Sequence, residues 1–261
     1  MTHIAVLGST NMDLVTYVEK APQRGETVTG RDFRTIPGGK GANQAIAAAR
    51  AGGAVTFIGA VGSDMFALDL REALVDAEVD TRYLREVDGP SGIAAITVDA
   101  AGENSIVVVP GANSTVVDLT PAELAAVADA DVLLCQLEIP LGTVVAAAAH
   151  AAAHDTVVML NPSPAQSLPA ELVKLVDVLL LNQTEAAQLG AEVTGAVSHV
   201  VTTLGSSGAD YASSDGTALR AESPEVEVVD TTGAGDAFAG ALAVSWRRAR
   251  PPARRRPPGS A

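Results

Sequence analysis

A glycine-rich stretch at residues 230–236, Asp-Thr-Thr-Gly-Ala-Gly-Asp, combines carboxylates with bare backbone. It follows a strand-like run (226–229) and precedes an apolar run (237–246) that predicts a helix. Glycines at a helix start let backbone N–H groups approach an anion, and the helix dipole adds partial positive charge there. Asp236 could be only the N-cap of this helix, but a cap needs no pair of glycines ahead of it. A nest of N–H groups beside a carboxylate suits phosphoryl transfer, in which a base stands next to the transferring group.

A second glycine cluster, Gly-Gly-Lys-Gly at residues 38–41, leads into a predicted helix. It is not a phosphate-binding P-loop, because that motif needs glycine where Arg34 stands and Ser or Thr where Gly41 stands. Closely spaced glycines let the backbone approach a ligand, and Lys40 and Asn43 add charge and hydrogen bonding. A turn with an ordinary helix cap would need only one glycine, so we interpret the cluster as a binding loop.

Polar side chains follow the predicted strands. The first strand, 3–8, is followed by Asn11 and Asp13 and not by the G-x-G-x-x-G of a dinucleotide-binding fold. An ionised Asp accepts hydrogen bonds from two vicinal hydroxyls, and Asn both donates and accepts, which suits a sugar. An Asx-turn that closes the strand explains these two residues equally well. Glu138 also follows a predicted strand, and ligands of open α/β sheets bind beyond such strand ends.

Asn182 and Glu185 follow another predicted strand with the spacing N-x-x-E. This is the spacing of a capping box, in which the two residues only close the start of a helix. It equally allows Glu185 to hold a hydrated Mg²⁺, which keeps most of its waters and takes few protein ligands. Residues 203–208, Thr-Leu-Gly-Ser-Ser-Gly, end a further strand with the small, donor-rich residues that a nucleotide phosphate or ribose requires.

Composition excludes several classes of partner. The chain has 261 residues, 48% of them apolar, and a formal charge of −14, which argues against nucleic acid and anionic membranes. Six arginines fall within residues 247–261, so the remainder is more acidic still. The single cysteine, Cys135, lies in an apolar run and is expected to fill the core in a reducing compartment. Because no signal peptide or membrane span is evident, we predict a soluble cytoplasmic protein.

Alternating strand and helix patterns predict an α/β fold: a doubly wound, mostly parallel sheet with helices on both faces. Strands are predicted at 3–8, 55–59, 132–137, 156–160, 178–181 and 200–203, and helices at 45–51, 66–75, 143–153, 168–176 and 184–189. Two strand-rich stretches, 14–36 (with strands at 14–18 and 27–30) and 91–109, lack a crossover helix. We expect these two stretches to form a small β-sheet lid over the ligand.

Taken together, the motifs resemble those of the ribokinase-like carbohydrate kinases. They occur in that family's order and span residues 3 to about 246: Asn11-x-Asp13, Gly38-Gly39-Lys40-Gly41-Ala42-Asn43-Gln44-Ala45, Gln136-Leu137-Glu138-x-Pro140, Asn182-x-x-Glu185, Thr203-Leu204-Gly205-x-x-Gly208 and Asp230-Thr231-Thr232-Gly233-Ala234-Gly235-Asp236. The resemblance implies one kinase domain over residues 1–246 and a homodimer formed through the lid. It also implies ATP-dependent phosphorylation of D-ribose at the 5-hydroxyl. A kinase for another sugar or nucleoside, such as fructose or adenosine, and a sugar-binding protein with impaired turnover remain alternatives.

The resemblance also implies a role for each matching position. The sugar pocket would contain Asn11, Asp13, Gly39, Lys40, Asn43 and Glu138, with Asp236 as the base. The backbone of Gly233, Ala234, Gly235 and Asp236 would bind the transferring phosphoryl group. ATP would contact Asn182, Thr203, Leu204, Gly205, Ser206, Ser207, Gly208 and Gly235. Mg²⁺ would be held through water by Glu185, and K⁺ by Asp230 and Thr232.

Two segments depart from the family pattern. Between Leu189 and Val200 the chain is shorter than usual, which predicts the loss of a surface helix. Residues 247–261 are rich in Arg and Pro where the family continues through further helices, so we expect a disordered tail from a truncated or frameshifted end. We therefore expect ribose to bind better than ATP, with low turnover and little response to K⁺.

Overall fold

The computed structural model describes residues 1–225 and 232–249. The strand predicted at 226–229, Asp230 and Thr231 of the glycine-rich stretch, and the Arg/Pro-rich tail from residue 250 onward lie outside the described residues. Within the described part of the chain, no helix is both long and apolar enough to cross a membrane.

Strands and helices alternate along most of the chain. The strands are β1 (His3–Leu7), β2 (Asn11–Tyr17), β3 (Asp32–Gly38), β4 (Ala54–Val61), β5 (Asp80–Glu86), β6 (Gly92–Val98), β7 (Asn104–Val109), β8 (Val132–Cys135), β9 (Val157–Leu160), β10 (Val178–Asn182), β11 (His199–Thr203), β12 (Ala209–Ser213) and β13 (Ala218–Ala221). The helices are α1 (Lys40–Arg50), α2 (Ala67–Asp76), α3 (Pro121–Asp129), α4 (Leu141–Ala152), α5 (Ala170–Leu175), α6 (Gln183–Ala196) and α7 (Ala234–Ala249).

A nine-stranded sheet forms the centre of the described structure, in the order β13-β12-β11-β10-β9-β8-β1-β4-β5. Strands β5 to β11 in this order pair in parallel, and β12 and β13 add an antiparallel edge. The chain progresses outward from β1 in one direction and from β8 in the other. The switch point where ligands of open α/β sheets bind therefore lies between β1 and β8.

Helices cover both faces of this sheet, which confirms the predicted doubly wound fold. One core packs α1, α2 and α7 against the sheet, and the other packs α3 to α6 against the opposite face. Because both faces are covered, central strands such as β8 are apolar and buried at every position. Cys135, in β8, is only 1% exposed, and burial raises the pKa of its thiol to about 12. Its predicted role as a core-filling residue is therefore confirmed.

A separate four-stranded sheet has the order β3-β2-β6-β7, as expected for the lid. The strand predicted at 27–30 is wrong, because β3 begins only at Asp32. Tyr17, the last residue of β2, pairs with Asp32, so residues 27–30 lie beyond the end of β2 with no ladder partner. A β-pattern without a facing strand does not form a strand.

The sequence analysis missed several elements and ended two helices too early. The edge strands β5, β12 and β13 and the helix α3 were not predicted. Helix α6 continues through a kink at Gly190 (φ 80°, ψ 168°), so the short segment after Leu189 remains helical. Helix α7 extends three residues into the segment predicted to be disordered, since Arg and Ala favour a helix and the first proline is Pro251.

The carboxyl-terminal half of α7 is attached to the edge of the large sheet by an aromatic cluster. The ring of Trp246 lies 5.2 Å from that of His199 in β11 and 6.1 Å from that of Tyr211 in β12, measured between centroids. The Tyr211 hydroxyl lies 3.0 Å from Nδ1 of His199. The cluster thus helps to fix the helix that begins at the glycine-rich stretch 230–236.

Candidate active site

Glu138 connects three segments that meet at the switch point. Its Oε2 accepts a hydrogen bond from the Ser9 hydroxyl (2.5 Å) and another from the backbone N–H of Lys40 (3.1 Å). Ser9 follows β1, Glu138 follows β8, and Lys40 begins α1. Residues from the ends of two strands therefore meet the start of α1 here, and Ser9 is a member that the sequence analysis missed.

The glycines at the start of α1 permit very close backbone packing. Gly39 is the N-cap with a φ of 90°, and a Cβ there would lie 2.7 Å from the backbone N of Asn11. A Cβ on Gly41 would lie 2.5 Å from the backbone N of Ser9. Only glycine fits at both positions, so α1 begins directly against the loop after β1. Lys40 and Asn43 are thereby placed at the switch point.

Asn11 is fixed by an amide that the sequence analysis did not identify. Asn113 follows the small sheet and is 1% exposed. Its Nδ2 donates to Oδ1 of Asn11 (2.8 Å) and to the backbone oxygen of Thr10 (3.1 Å). The orientation of Asn11 is therefore set by a buried partner rather than by an Asx-turn alone.

Asp13 lies in a crowded acidic environment. Burial, together with the negative charges of Glu138 and Asp236, raises the pKa of its carboxyl from 3.8 to about 6. A Cβ on Gly38 would lie 2.6 Å from Oδ2 of Asp13, so this glycine makes room for the carboxylate. Three carboxylates from distant parts of the chain thus face one region.

Asp236 occupies the first turn of α7 and is 7% exposed. Its Oδ1 accepts from Nε2 of Gln44 (2.9 Å), and its Oδ2 accepts from Nδ2 of Asn43 (3.2 Å). Because its side chain bonds to α1 and the helix begins two residues earlier, the N-cap alternative for Asp236 is wrong. Around it the backbone is open: a Cβ on Gly235 would meet nothing within 4 Å.

A cavity of about 210 Å³ opens between α7 and the ends of β9, β10 and β11. Its lining includes eight predicted site residues: Lys40, Asn182, Glu185, Thr203, Gly233, Ala234, Gly235 and Asp236. It also includes four that the sequence analysis missed: Asn161, Ser163, Leu180 and Leu181. Asn161 directly follows β9, so applying the strand-end rule to that strand would have identified it.

Asn182 and Glu185 form the capping box that the sequence analysis left as an alternative. The Glu185 N–H donates to Oδ1 of Asn182 (2.8 Å), and the Asn182 N–H donates to Oε2 of Glu185 (2.9 Å). Both residues nevertheless line the cavity. Among the described residues, no group of three or more His, Cys, Asp or Glu side chains is arranged to hold a metal ion.

The remaining predicted site residues lie apart from the cavity. A short 3₁₀ helix between β11 and β12, Gly205–Ser207, and the residues that flank it, Leu204 and Gly208, do not line the cavity. A Cβ on Gly208 would lie against the backbone oxygen of Ala221, so this glycine serves the strand connection. Thr232 is exposed, and its predicted K⁺ partner Asp230 lies outside the described residues.

The chain was compared with known protein families, curated proteins and solved structures. Residues 1–254 match the model of the pfkB family carbohydrate kinases. The chain belongs to this family. It is 41% identical over 257 residues to ribokinase from Bacillus subtilis, an alignment that covers 94% of this chain and 86% of the relative.

Two solved structures extend the similarity to the fold. Ribokinase from Arabidopsis thaliana, complexed with ribose and ATP, superposes with a TM-score of 0.86 at 31% identity and covers 95% of this chain and 86% of that one. Ribokinase from Thermotoga maritima gives a TM-score of 0.84 at 31% identity with the same coverage. The family membership and the fold expected from the sequence are therefore confirmed.

Proposed function

We propose that this chain catalyses the ATP-dependent phosphorylation of D-ribose at the 5-hydroxyl, giving ribose 5-phosphate and ADP. The observation that carries the proposal is the buried carboxylate of Asp236 at the wall of a cavity, beside the open backbone of Gly233 and Gly235. The ribokinase relatives, similar over most of the chain, support ribose as the sugar.

In the proposed reaction Asp236 takes the proton from the 5-hydroxyl while that oxygen attacks the γ-phosphorus of ATP. The bond from the γ-phosphorus to the bridging oxygen breaks, and ADP leaves. The backbone N–H groups of Gly233, Ala234 and Gly235 would donate to the phosphoryl oxygens, where the positive end of the α7 dipole adds stabilisation. Positioning and electrostatics supply most of the catalysis in such transfers.

The sugar would lie at the switch point between β1 and β8. The proposed pocket residues are Asn11, Asp13, Gly39, Lys40, Asn43 and Glu138. The carboxylates of Asp13 and Glu138 can accept hydrogen bonds from sugar hydroxyls, and the Asn43 amide can donate and accept. The contact of Asn43 with Asp236 supports this assignment, because it joins the sugar side to the base.

The nucleotide would enter the cavity beyond Asp236. Asn182 and Thr203 line its wall, and Glu185 presents a carboxylate there although one oxygen also closes the capping box. A single carboxylate fits a hydrated Mg²⁺ held through water and the phosphates of ATP. When bound, the ion would neutralise charge on the β- and γ-phosphates. We retain residues 204–208 as a proposed contact to the rest of the nucleotide.

Activation by K⁺ through Asp230 and Thr232 remains a proposal. Backbone and hydroxyl oxygens near the start of α7 suit a monovalent cation, and the site would act by ordering the loop that carries Gly233. Its test is the dependence of turnover on K⁺ against Na⁺ at constant ionic strength.

A homodimer through the small sheet is the proposed assembly. Its outer strands expose apolar side chains that a monomer would leave in water, namely Phe33, Ile36, Ile106, Val107, Val108 and Val109. Every residue of β7 is exposed. Large apolar side chains left exposed on edge strands are typical of an interface between protein chains. Sedimentation of the parent and of Val107→Glu would distinguish a dimer from a monomer.

The cytoplasm is the proposed compartment. The buried free thiol of Cys135 supports it, because a single cysteine without a disulfide partner suits reducing conditions.

A coupled ADP-release assay over a panel of sugars tests the proposed function. The panel contains ribose, 2-deoxyribose, fructose and adenosine, each with and without K⁺. We expect the highest kcat/KM with ribose. A higher value with another member would replace ribose as the substrate, and ribose binding by calorimetry without any ADP release would favour a sugar-binding protein.

A further inference from the structure

We propose that Gln44 is a positioning residue that fixes the Asp236 carboxylate through a chain of buried amides. The inference rests on the proposed function, because it concerns the base of that reaction. Gln44 lies in the same motif as Lys40 and Asn43, but it is 0% exposed. Its side chain therefore acts on protein groups and not on substrate.

The amide of Gln44 is almost fully used. Its Nε2 donates to Oδ1 of Asp236 (2.9 Å) and to Oδ1 of Asn161 (3.0 Å), and its Oε1 accepts from Nε2 of Gln136 (2.5 Å). Both of its donors and one of its two acceptor positions are occupied. A side chain held at three points in the core has one orientation available.

The direction of these hydrogen bonds is set by a backbone carbonyl. Asn161 donates its Nδ2 to the backbone oxygen of Leu180 (2.9 Å), which can only accept. The Oδ1 of Asn161 must then face Gln44, so Gln44 turns its donor group to Asn161 and Asp236. If the Gln44 amide were reversed, its oxygen would face the carboxylate oxygen, which is unfavourable in a buried site.

Close helix packing makes the contact possible. A Cβ on Gly240 in α7 would lie 2.5 Å from the backbone oxygen of Gln44 and 2.6 Å from the backbone N of Ala48. The two helices therefore touch at this glycine, one turn beyond Asp236. Oδ1 of Asp236 accepts its hydrogen bond from the buried Gln44 amide. Oδ2 is therefore the oxygen on the side of Asn43, where the sugar would bind.

The first test compares the kinetics of Gln44→Met with those of the parent. Methionine keeps the volume and removes the polar group. We expect kcat to fall about 10- to 100-fold, the range that a hydrogen bond to a charged group contributes. The KM for ribose should change little, since ground-state binding is retained. Gln136→Met, one step further from Asp236, should give a smaller loss of the same kind.

Thr143→Val is the matched control, because it removes a buried hydrogen bond to the backbone oxygen of Val116 (2.6 Å) outside the site. It should lower the Tm and leave kcat unchanged. A folded Gln44→Met protein with the parent kcat would overturn the inference.

A second measurement separates this inference from the proposed function. If the parent phosphorylates no sugar, the proposed function fails, and the side-chain amide signals of Gln44 in a ¹⁵N NMR spectrum then decide the inference. We expect slow exchange of both protons and a shift of the signals in Asp236→Asn. Signals that exchange quickly or do not respond would overturn the positioning role, and the same spectrum decides the question if Gln44→Met fails to fold.

Discussion

The two glycine-rich helix starts have similar sequences but opposite surroundings. At the start of α1, added side-chain atoms on Gly39 and Gly41 would collide with backbone within 2.5–2.7 Å. At the start of α7, a Cβ on Gly235 would meet nothing within 4 Å, and one on Gly233 would meet only Nδ2 of Asn43, at 3.8 Å. The glycines at 38–41 are therefore required by the protein's own packing. The glycines at the start of α7 leave a space that a ligand can fill.

Replacement of the proposed base at the start of α7 should cause the largest loss of activity. Asp236→Asn keeps the shape but cannot accept a proton, so we expect kcat to fall roughly 10²–10⁴-fold. Ribose affinity measured by calorimetry should survive. Turnover near the parent value would remove Asp236 from the chemistry and leave the α7 start without an assigned function.

Gly41→Ala should destabilise the protein at the start of α1. The methyl group would lie 2.5 Å from the backbone N of Ser9, and backbone cannot move aside easily. We expect the free energy of unfolding to fall by about 3 kcal/mol in chemical denaturation. Gly142→Ala in α4 is the control, since nothing lies within 4 Å of its Cβ. Equal stability of the two variants would contradict the crowding described here.

Gly235→Ala should lower activity without lowering stability. The helix gains roughly 0.5–1 kcal/mol from alanine, so the Tm should not decrease. The methyl group projects where the phosphoryl group is proposed to lie, and we expect kcat to fall roughly 10- to 100-fold. Parent turnover in this variant would show that no substrate atom passes close to residue 235.

Asp13→Asn tests the acidic environment next to the α1 glycines. Because the folded pKa is raised from 3.8 to about 6, the favourable contribution of this carboxyl is full below pH 3.8 and is lost as the pH rises through 6. The shift corresponds to about 3 kcal/mol, of which we expect about half because Asp13 is half-buried. The Asn variant should thus gain about 1–2 kcal/mol over the parent across this range. Unfolding curves measured at a series of pH values check this prediction. A difference in free energy of unfolding between variant and parent that does not change with pH would contradict the pKa shift.

The sequence predicted most of the central sheet but not its edges. Strands such as β8 and β10 are short apolar runs, which only burial on both faces explains. The edge strands β5, β12 and β13 carry polar residues, so their pattern is that of surface loops. The strand predicted at 27–30 failed for a related reason, since pairing depends on a partner that periodicity does not show.

The residues proposed to contact ligand could be named from sequence motifs, whereas the contacts that site residues make with one another could not. Glycines, Asp236 and the residues at strand ends have recognisable motifs, because their chemistry is local. Asn113 acts through a hydrogen bond to Asn11, more than 100 residues away in the chain. Asn161 follows a strand and could have been found by its position, but its hydrogen bond to Gln44 could not. No spacing in the sequence records such contacts, which follow from the packing of the helices and the sheet.

The aromatic cluster at the end of α7 makes this helix optically visible. Trp246 is the only tryptophan in the chain, and it lies on the helix that carries Asp236 at its other end. Its emission therefore arises from one known place and reports the contact of α7 with His199 and Tyr211. If substrate binds at the first turn of α7 as proposed, we expect the emission of Trp246 to change on binding, which a titration of the unlabelled protein with ribose or ATP would measure.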